Sequence, residues 1–400
     1  MRTPEPDQVG SSARMALVHD WLTGMRGGEK CLKIFCEMFP RADVFTLFQV
    51  SGAAEPAVAA RVAGRSFLQA LPGLGRYYRY LLPLFPAAVE GLDLTGYDPV
   101  VSISHCVAKG AIAAPGGRHV CYCLTPMRYC WDLFPLYFGR PDRGGLRRFP
   151  AGLVAHYLRL WDVAASNRVD TFVAVSKFVA ARIRKFYRRT ATVIYPPVDA
   201  ALYQPSAAPR GDYYLFVAAA APNKRVDIAL EAFSRLDRPL KIAGGLQGAG
   251  RLRPPRSRAG RIEWLGWVPD EDLADLYAHC RALVFPGIED FGLVPVEAQA
   301  AGRPVIAYAG GGVLESVRGV EVSEALRMEP GAWRDGGFTG IFFRRPTADS
   351  LAEAVLGFEQ VEGRFEPDRI RRWACRFDRG SFERSWRRVL APRAARAAPV

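Results

Sequence analysis

Two glutamates at a strand-to-helix junction are the residues of this sequence whose spacing best fits a chemical site. Seven residues separate Glu289 from Glu297, and the buried-strand pattern of Leu283–Phe285 precedes them. A turn containing Pro286 and Gly287 follows that strand, and a helix is predicted from about Val294. Glu289 therefore belongs to the loop and Glu297 to the helix.

The amides at the start of this helix have no partner within the helix, and the helix dipole favours negative charge there. A diphosphate is an anion of this kind, and a carboxylate on the helix can accept hydrogen bonds from a ribose diol. The alternative is an acidic surface loop whose Glu297 pairs with an arginine. The glycine-rich turn and the strand that follows favour a ligand site, whose donor-binding residues would be Glu297, Asp290, Phe291, Gly292 and Leu293.

Short apolar runs alternate with helical patterns on both sides of this junction. This alternation predicts a doubly wound α/β fold with mostly parallel sheets. The predicted strands are Met15–Val18, 44–47, 100–103, 119–123, 171–175, 192–194, 213–217, 240–243, 261–264, 283–285 and 305–307. Turn residues cluster between residues 196 and 211, which predicts two doubly wound halves with a boundary there.

Composition narrows the ligand classes. Lys and Arg number 54 against 40 Asp and Glu, a net charge of +14, so anionic lipid, nucleic acid and phosphorylated small molecules are all candidates. The basic residues are dispersed and no nucleic-acid motif is found, which argues against nucleic acid. No apolar run is long enough to cross a membrane and no secretory signal is recognised, so a cytoplasmic location is expected. The spacing of Cys121, Cys123 and Cys130 argues against a zinc site, and no metal is expected.

Four motifs in this chain occur in the same order in one enzyme family. They are His19-Asp20-Trp21-Leu22 with Gly27-Gly28-Glu29, Val193–Asp199, Pro222–Asp227, and the Glu289/Glu297 pair. On these residues the chain resembles the retaining group 1 (family 4) glycosyltransferases from Met15 to Leu390. Within that family it looks like bacterial mannosyltransferases that build O-antigen and exopolysaccharide chains.

The resemblance implies a GT-B fold, in which two Rossmann-like domains face a cleft and a C-terminal helix returns to the N-terminal domain. The expected parts are an N-terminal acceptor-side domain (15–200), a C-terminal nucleotide-sugar domain (206–375) and a crossover helix (376–391). Residues 1–14 and 392–400 are expected to be disordered.

The resemblance also implies the activity, which is transfer of a hexose from a nucleotide-diphosphate sugar with retention of configuration. The expected donor is GDP-mannose and the expected acceptor a polyprenyl-diphosphate-linked saccharide in surface polysaccharide biosynthesis. The alternative is a non-catalytic protein of the same fold that binds a nucleotide sugar or a partner protein. No cofactor beyond the donor is expected.

By the same resemblance Glu289 contacts the donor sugar, Glu297 the ribose and Lys224 the diphosphate. A fixed ammonium would stabilise the charge that grows on the leaving diphosphate. Lys224 and Arg225 precede a predicted helix at Val226–Leu236, where cations are unfavourable unless an anion is near. The alternative for Lys224 and Arg225 is a solvated pair.

The chain departs from the family at two positions. Ala219 stands where many members carry an arginine, for which Arg225 is the candidate substitute. Leu124 stands where the family usually has a histidine before Thr-Pro, and His105 is the candidate for that catalytic role. A satisfied structural histidine is the alternative for His105.

Further residues are expected on the acceptor or diphosphate side. Gly27 and Gly28 open the first helix, and glycine permits close approach of the backbone to a ligand, although a plain tight turn is the alternative. His19 and Asp20 belong to the same motif, and Arg128 and Asp132 are added by resemblance only.

Two other segments contain charged or aromatic residues that could serve a function. Arg76–Phe85 mixes cations with aromatic and aliphatic residues, which favours peripheral contact with an anionic membrane on its inner face over plain core packing. Asp270-Glu271-Asp272 follows Pro269 and predicts a helix N-cap with an acidic first turn rather than a metal-binding Asp-x-Asp motif.

Overall fold

The computed structural model describes residues 14–138, 145–217, 221–245 and 261–391, without the side chains of 145–149. Ala219 and the expected disordered ends lie outside these ranges, apart from Arg14, which belongs to the first strand. The described chain divides into two compact units, each with its own sheet. Residues 133–138 and 175–181 are counted with the second unit.

The first unit is built on seven strands in the order β3-β2-β1-β4-β5-β6-β7. The pairs from β3 through β6 are parallel. The strands are β1 (Arg14–His19), β2 (Asp43–Thr46), β3 (Val62–Arg65), β4 (Tyr97–Ser104), β5 (His119–Cys123), β6 (Thr171–Ala174) and β7 (Ala191–Val193).

The second unit has seven strands in the order β10-β9-β8-β11-β12-β14-β13, and all six pairs are parallel. The strands are β8 (Tyr214–Val217), β9 (Leu240–Ala243), β10 (Ile262–Gly266), β11 (Leu283–Phe285), β12 (Val305–Tyr308), β13 (Gly319–Glu321) and β14 (Gly340–Phe343).

Helices connect these strands. Those before β8 are α1 (Gly27–Met38), α2 (Pro56–Ala59), α3 (Leu74–Tyr77), α4 (Phe85–Glu90), α5 (Phe134–Phe138), α6 (Gly145–Ser166) and α7 (Lys177–Tyr187). Those after β8 are α8 (Val226–Leu236), α9 (Asp270–His279), α10 (Leu293–Ala300), α11 (Val313–Ser316), α12 (Val322–Arg327), α13 (Pro330–Gly336), α14 (Ala348–Val361), α15 (Pro367–Ala374) and α16 (Arg379–Leu390).

The doubly wound fold expected from the sequence is confirmed, because parallel strands alternate with helices in both units. The sequence analysis missed β3, β13 and β14. β3 alternates between half-buried and exposed residues, as an edge strand does, and β13 has one buried apolar residue. Neither forms the continuous apolar run that identifies a buried parallel strand.

Helix starts agree with the predictions to within a few residues. Asp270, Glu271 and Asp272 form the acidic first turn of α9, but the N-cap residue is Pro269 rather than Asp270. The C-terminal amphipathic helix is α16, which Asp378 caps by accepting a hydrogen bond from the Ser381 amide. Its return to the N-terminal domain stays a prediction.

The strand order of each sheet reverses direction at one point, between β1 and β4 in the first and between β8 and β11 in the second. Ligands of doubly wound sheets bind at the carboxyl ends of the strands at this switch point, because the loops diverge there and leave a crevice. Among the residues that the structure describes, no helix is both long and apolar enough to span a bilayer.

Candidate functional site

Lys224 and Glu289 meet at the switch point of the second sheet. Lys224 lies in the connection after β8 and Glu289 in the loop after β11. The Lys224 Nζ atom is 2.5 Å from Glu289 Oε1, and the two side chains are 21% and 14% exposed. A cation and a carboxylate that share a crevice while remaining partly open to solvent can both reach a bound ligand.

Asn223 fixes the geometry of this pair. Its Nδ2 donates to Glu289 Oε1 at 3.0 Å, and its backbone oxygen accepts from the Ile288 amide at 3.1 Å. The two loops pack so closely that a Cβ atom at Gly287 would lie 2.5 Å from the Asn223 oxygen. The role of Asn223 is not evident from the sequence, because its partner Glu289 is 66 positions away along the chain.

The Glu289 backbone is held from the other side by a glycine turn. Gly311 pairs with Glu289 as an isolated bridge, and the Gly312 amide donates to the Glu289 oxygen at 2.8 Å. Gly311 has φ of +78°, and a Cβ atom there would lie 2.5 Å from the Glu289 oxygen. Both the left-handed conformation and the close contact require glycine.

Glu297 is the fifth residue of α10, the helix that follows the loop of Glu289. The Tyr277 hydroxyl donates to Glu297 Oε2 at 2.8 Å, and burial raises the pKa of this tyrosine well above its usual value. Tyr277 is therefore a neutral donor that orients the carboxylate. Its hydroxyl is a functional group that sequence analysis missed, since it comes from α9.

The start of α10 presents backbone rather than side chains. Gly292 is the N-cap residue with φ of +89°, and it has no side chain that could cap the helix. Leu293 is the first helical residue. The Phe291 ring is buried between Tyr195 and Phe377, at centroid distances of 5.4 and 5.3 Å, so only its backbone can serve a ligand.

Asp290 and Arg225 have defined structural partners. Asp290 is buried, and its backbone oxygen accepts a hydrogen bond from Ser176 Oγ at 2.5 Å. The Arg225 guanidinium binds both carboxylate oxygens of Asp227 at 3.0–3.1 Å, from a backbone with φ of +54°. Any contact of Arg225 with a diphosphate has to compete with Asp227.

The first unit holds a second cluster, centred on the buried carboxylate of Asp20 after β1. Its Oδ2 accepts from the amides of His105 and Cys106 at 2.7 and 3.0 Å, and its Oδ1 from those of Val107 and Ala108 at 2.6 and 2.7 Å. Burial raises the pKa of Asp20, but the charge and hydrogen bonds of His105 outweigh it and hold that pKa well below its usual range. Asp20 is thus a permanent anion that organises the loop after β4.

Asp20 also orients the His105 ring. His105 Nδ1 lies 2.9 Å from Asp20 Oδ2 and donates to it, because an ionised carboxylate only accepts. The edge of this ring meets Trp21, with centroids 4.5 Å apart, and the side chain is 29% exposed. The remaining nitrogen, Nε2, is the part of His105 available for chemistry.

His19, Gly28 and Leu124 adjoin this cluster. His19 is fully buried, with Nδ1 donating to the Ile103 oxygen at 2.9 Å and Nε2 lying 3.9 Å from Glu29 Oε1, too far for a hydrogen bond. Burial lowers the pKa of His19, but the Glu29 carboxylate outweighs it and raises that pKa above 6.5. A Cβ atom at Gly28 would lie 3.0 Å from Leu124 Cδ1 and 3.3 Å from His19 Cε1.

Leu124 and His19 both approach Gly28, and the His19 ring centroid lies 5.8 Å from that of His105. The substitution of His105 for the family histidine stays a prediction. Arg128 is half-buried in the turn after β5, and Gly27 is the first residue of α1. Asp132 pairs with the buried Arg182 at 2.6 Å. Sequence analysis did not identify Arg182.

The structure gives no grouping of three His, Cys, Asp or Glu side chains suited to a metal within its described ranges. Cys121, Cys123 and Cys130 are buried free thiols.

Two family models match this chain, one for each sheet. Residues 25–202 match Glycosyltransferase Family 4 and residues 204–366 match Glycosyl transferases group 1. The segment that matches the family 4 model precedes the segment that matches the group 1 model. Lys224, Glu289 and Glu297 all lie in the segment that matches the group 1 model.

The sequence similarity to curated relatives covers only part of this chain and part of each relative. An uncharacterized glycosyltransferase of Methanocaldococcus jannaschii is 33% identical over 163 residues, which are 38% of this chain and 44% of that protein. A D-inositol 3-phosphate glycosyltransferase of Mycolicibacterium gilvum is 35% identical over 162 residues, or 35% of this chain and 37% of that protein. The chain thus matches less than half the length of these curated relatives.

Solved structures match both domains together. The Anabaena protein HepE in complex with UDP has a TM-score of 0.64 at 17% identity, covering 94% of this chain and 99% of its own. The lipopolysaccharide outer core galactosyltransferase WaaB has a TM-score of 0.60 at 16% identity, covering 94% and 99%. These similarities establish the GT-B fold of paired Rossmann-like domains.

Proposed function

We propose that this chain is a retaining glycosyltransferase that transfers a hexose from a nucleotide-diphosphate sugar. The observation that carries the proposal is the pairing of Lys224 with Glu289 at the switch point, beside the helix that carries Glu297. The crevice at this edge is where doubly wound domains bind nucleotides.

The donor diphosphate binds between Lys224 and the amino end of α10. An ammonium group has three N–H donors, so Lys224 can bond Glu289 and a phosphate oxygen together. The uncapped first turn of α10 favours the same negative charge. Glu297, held by Tyr277, accepts hydrogen bonds from the ribose hydroxyls.

Sugar transfer requires the bond between the anomeric carbon and the phosphate oxygen to break. Charge grows on the diphosphate as this happens, and the Lys224 ammonium stabilises it. The acceptor hydroxyl forms its bond on the face that the diphosphate leaves, and the departing phosphate oxygen takes the hydroxyl proton. Configuration is then retained without a side-chain nucleophile, while Glu289 orients the sugar and stabilises positive charge on its ring.

The first unit supplies groups for the acceptor or the sugar. His105 Nε2 hydrogen-bonds a hydroxyl, and Asp20 fixes the ring for this purpose. The motif residues His19, Gly27 and Gly28 shape the same region, and Arg128 is assigned to the acceptor side. The position of His19, Gly27, Gly28 and His105 at or after the carboxyl ends of β1 and β4, the strands of the switch point, supports the roles proposed for these four residues. The role of Arg128 rests on the family resemblance alone.

We propose GDP-mannose as the donor, on the resemblance to bacterial mannosyltransferases. UDP and UDP-glucose are bound in the HepE structures. Uridine-diphosphate sugars are therefore the donors to compare with GDP-mannose. Thermal-shift measurements with GDP-mannose, UDP-glucose and UDP-galactose test the choice, because a ligand well above its dissociation constant raises the melting temperature. A shift with a uridine donor alone would contradict GDP-mannose, and the absence of any shift would contradict the enzyme.

The proposal that the diphosphate binds without a divalent metal ion can be tested with a chelator. Activity should survive excess chelator, because Lys224 and backbone amides supply the positive charge that a divalent ion supplies elsewhere. Loss of turnover on chelation that magnesium or manganese restores would contradict this proposal.

We further propose that the acceptor is a polyprenyl-diphosphate-linked saccharide at an anionic membrane surface. In the segment 76–85, Tyr78 and Phe85 pack in the core, whereas Tyr80 is 85% exposed and Leu84 45%. The exposed Arg76 and Arg79 accompany them. Half of this segment therefore packs in the core and half presents apolar and cationic groups to solvent, a composition that suits a lipid interface.

Vesicle sedimentation tests this surface. The double change Tyr80→Ser with Leu84→Ser should reduce binding to vesicles that contain anionic lipid, whereas Leu356→Ser, an exposed leucine of α14, should not. Equal vesicle binding by the unmodified chain, the double variant and Leu356→Ser would contradict the proposed membrane contact. It would not contradict the proposed glycosyl transfer.

The second candidate is a non-catalytic binder of the same fold, which Leu124 in the His105 cluster and Ala219 favour. Binding of a nucleotide sugar without either transfer or hydrolysis would support it. Intact Lys224, Glu289 and Glu297 favour the enzyme.

A further inference from the structure

The second unit contains a cavity that shares none of its lining residues with the Lys224–Glu289 site. It encloses about 530 Å³ between the start of α7, the edge strand β13 and α15. Small-molecule sites have volumes of this order. The sequence motifs assign it no role.

Positive charge predominates in this cavity, which we call the β13 cavity. Lys177, Arg318 and Arg376 line it together with one carboxylate, Glu315. Within the described ranges, none of these three cations forms a salt bridge, and all three are exposed. Their charges therefore remain available to a ligand.

Glu315 is already committed to other partners. Its Oε2 accepts from the Lys177 amide at 2.8 Å and from the Tyr195 hydroxyl at 3.0 Å, and its Oε1 accepts from the Phe178 amide at 2.9 Å. The carboxylate is thus held at the start of α7 by both oxygens. It offsets one of the three positive charges, which leaves an excess of two.

Trp373 holds two of the cations in position. The guanidinium carbon of Arg318 lies 5.1 Å from the centroid of its ring and that of Arg376 lies 4.5 Å from it. The ring is itself fixed, since its Nε1 donates to the Ser316 oxygen at 2.9 Å. A stacked guanidinium keeps its N–H groups free to bind an anion, and an anion would relieve the repulsion between the two.

The rest of the β13 cavity lining is mostly apolar, and much of it is aromatic. Phe338 and Phe342 are half-buried and line it with Trp373. A bare inorganic anion would leave these ring surfaces uncovered. A ligand that combines an anion with an apolar or planar group covers them and gains the free energy of burial.

We propose that the β13 cavity is a second ligand site that binds a phosphate monoester whose organic group is apolar or planar. A phosphate monoester carries a charge of about −1.5 to −2 at neutral pH, which balances the excess charge of the lining. Its three terminal oxygens can accept hydrogen bonds from both guanidinium groups at once, whereas a carboxylate has only two oxygens. The inference goes beyond the proposed function, because it concerns residues that take no part in donor binding.

Calorimetric titration of the full chain tests the proposal with four probes: phenyl phosphate, geranyl phosphate, inorganic phosphate and benzoate. At least one of the two esters should bind more tightly than both inorganic phosphate and benzoate. The ester that binds better shows whether the site prefers a planar or an aliphatic group. Equal affinity for benzoate and phenyl phosphate, or no ester binding at millimolar concentration, would overturn the proposal.

Variants locate the binding. Arg318→Ala with Arg376→Ala should weaken ester binding at least tenfold, and so should the single change Arg376→Glu, which spares Arg318. Arg327→Ala, an exposed arginine of α12, should bind like the unmodified chain, as should Lys224→Ala. Circular dichroism verifies folding. Ester binding that Lys224→Ala abolishes but Arg376→Glu does not would place the ligand in the donor site and refute the β13 cavity as a site.

Discussion

The Lys224 ammonium lies 2.5 Å from the Glu289 carboxylate, although the two residues belong to loops after different strands. The pairing exists because β8 and β11 are neighbours in the second sheet. It places the ammonium group assigned to the diphosphate next to the carboxylate assigned to the sugar.

Lys224→Ala should lower turnover by about 10²–10³-fold, the loss seen when one preorganised charge stabiliser is removed. Donor affinity should fall less, because diphosphate charge grows in the transition state. Adding Arg225→Ala should deepen the loss. The measurement is transfer of labelled sugar to a lipid-linked acceptor, with Lys185→Ala, an exposed lysine of α7, as the control. Near-normal turnover of a folded Lys224→Ala protein would refute the mechanism.

Glu297→Ala should weaken donor binding by about 1.5–3 kcal/mol, the contribution of hydrogen bonds to a carboxylate. Tyr277→Phe removes only the hydroxyl that orients Glu297, so its loss of affinity should be smaller and in the same direction. Calorimetry with the nucleotide diphosphate measures both. Unchanged affinity in Glu297→Ala would remove this residue from the donor site.

His105→Gln should lower turnover by about 10–100-fold, because one hydrogen bond to a group that gains charge contributes about 1.5–3 kcal/mol. The fold should persist, since the Asp20 carboxylate keeps its bonds to the backbone amides. His156→Gln, an exposed histidine of α6, is the matched control. Equal turnover in the two variants would assign His105 a structural role only.

Glu29→Gln should lower the free energy of unfolding more at about pH 5.5 than at about pH 8.5. The pKa of His19 is raised in the folded chain, so its charged form stabilises the fold below pH 6.5, and this contribution disappears as the pH rises through the folded pKa. Denaturant unfolding at the two pH values measures the difference. Glu37→Gln, an exposed glutamate of the same helix, should show no such dependence, and a pH-independent loss in Glu29→Gln would contradict the ion pair.

Local patterns in the sequence predicted most of the strands and helices and singled out the Glu289/Glu297 pair. Short apolar runs predicted β1, β11 and β12, because a strand buried on both faces needs a continuous apolar run. The junction that carries Glu289 and Glu297 was evident from its turn residues and the helix that follows. Apolar runs and turn residues are patterns among residues that are close together along the chain, so they can be recognised from a single sequence.

The tertiary structure decided which of these residues meet. Strand order placed Lys224 against Glu289, brought the Tyr277 hydroxyl to Glu297, and turned four backbone amides toward Asp20. The edge strands β3 and β13 also emerged only there, because pairing with a neighbour, rather than burial on both faces, defines them. Contacts between distant segments arise from the pairing and packing of whole elements, so no local pattern of apolar residues specifies them.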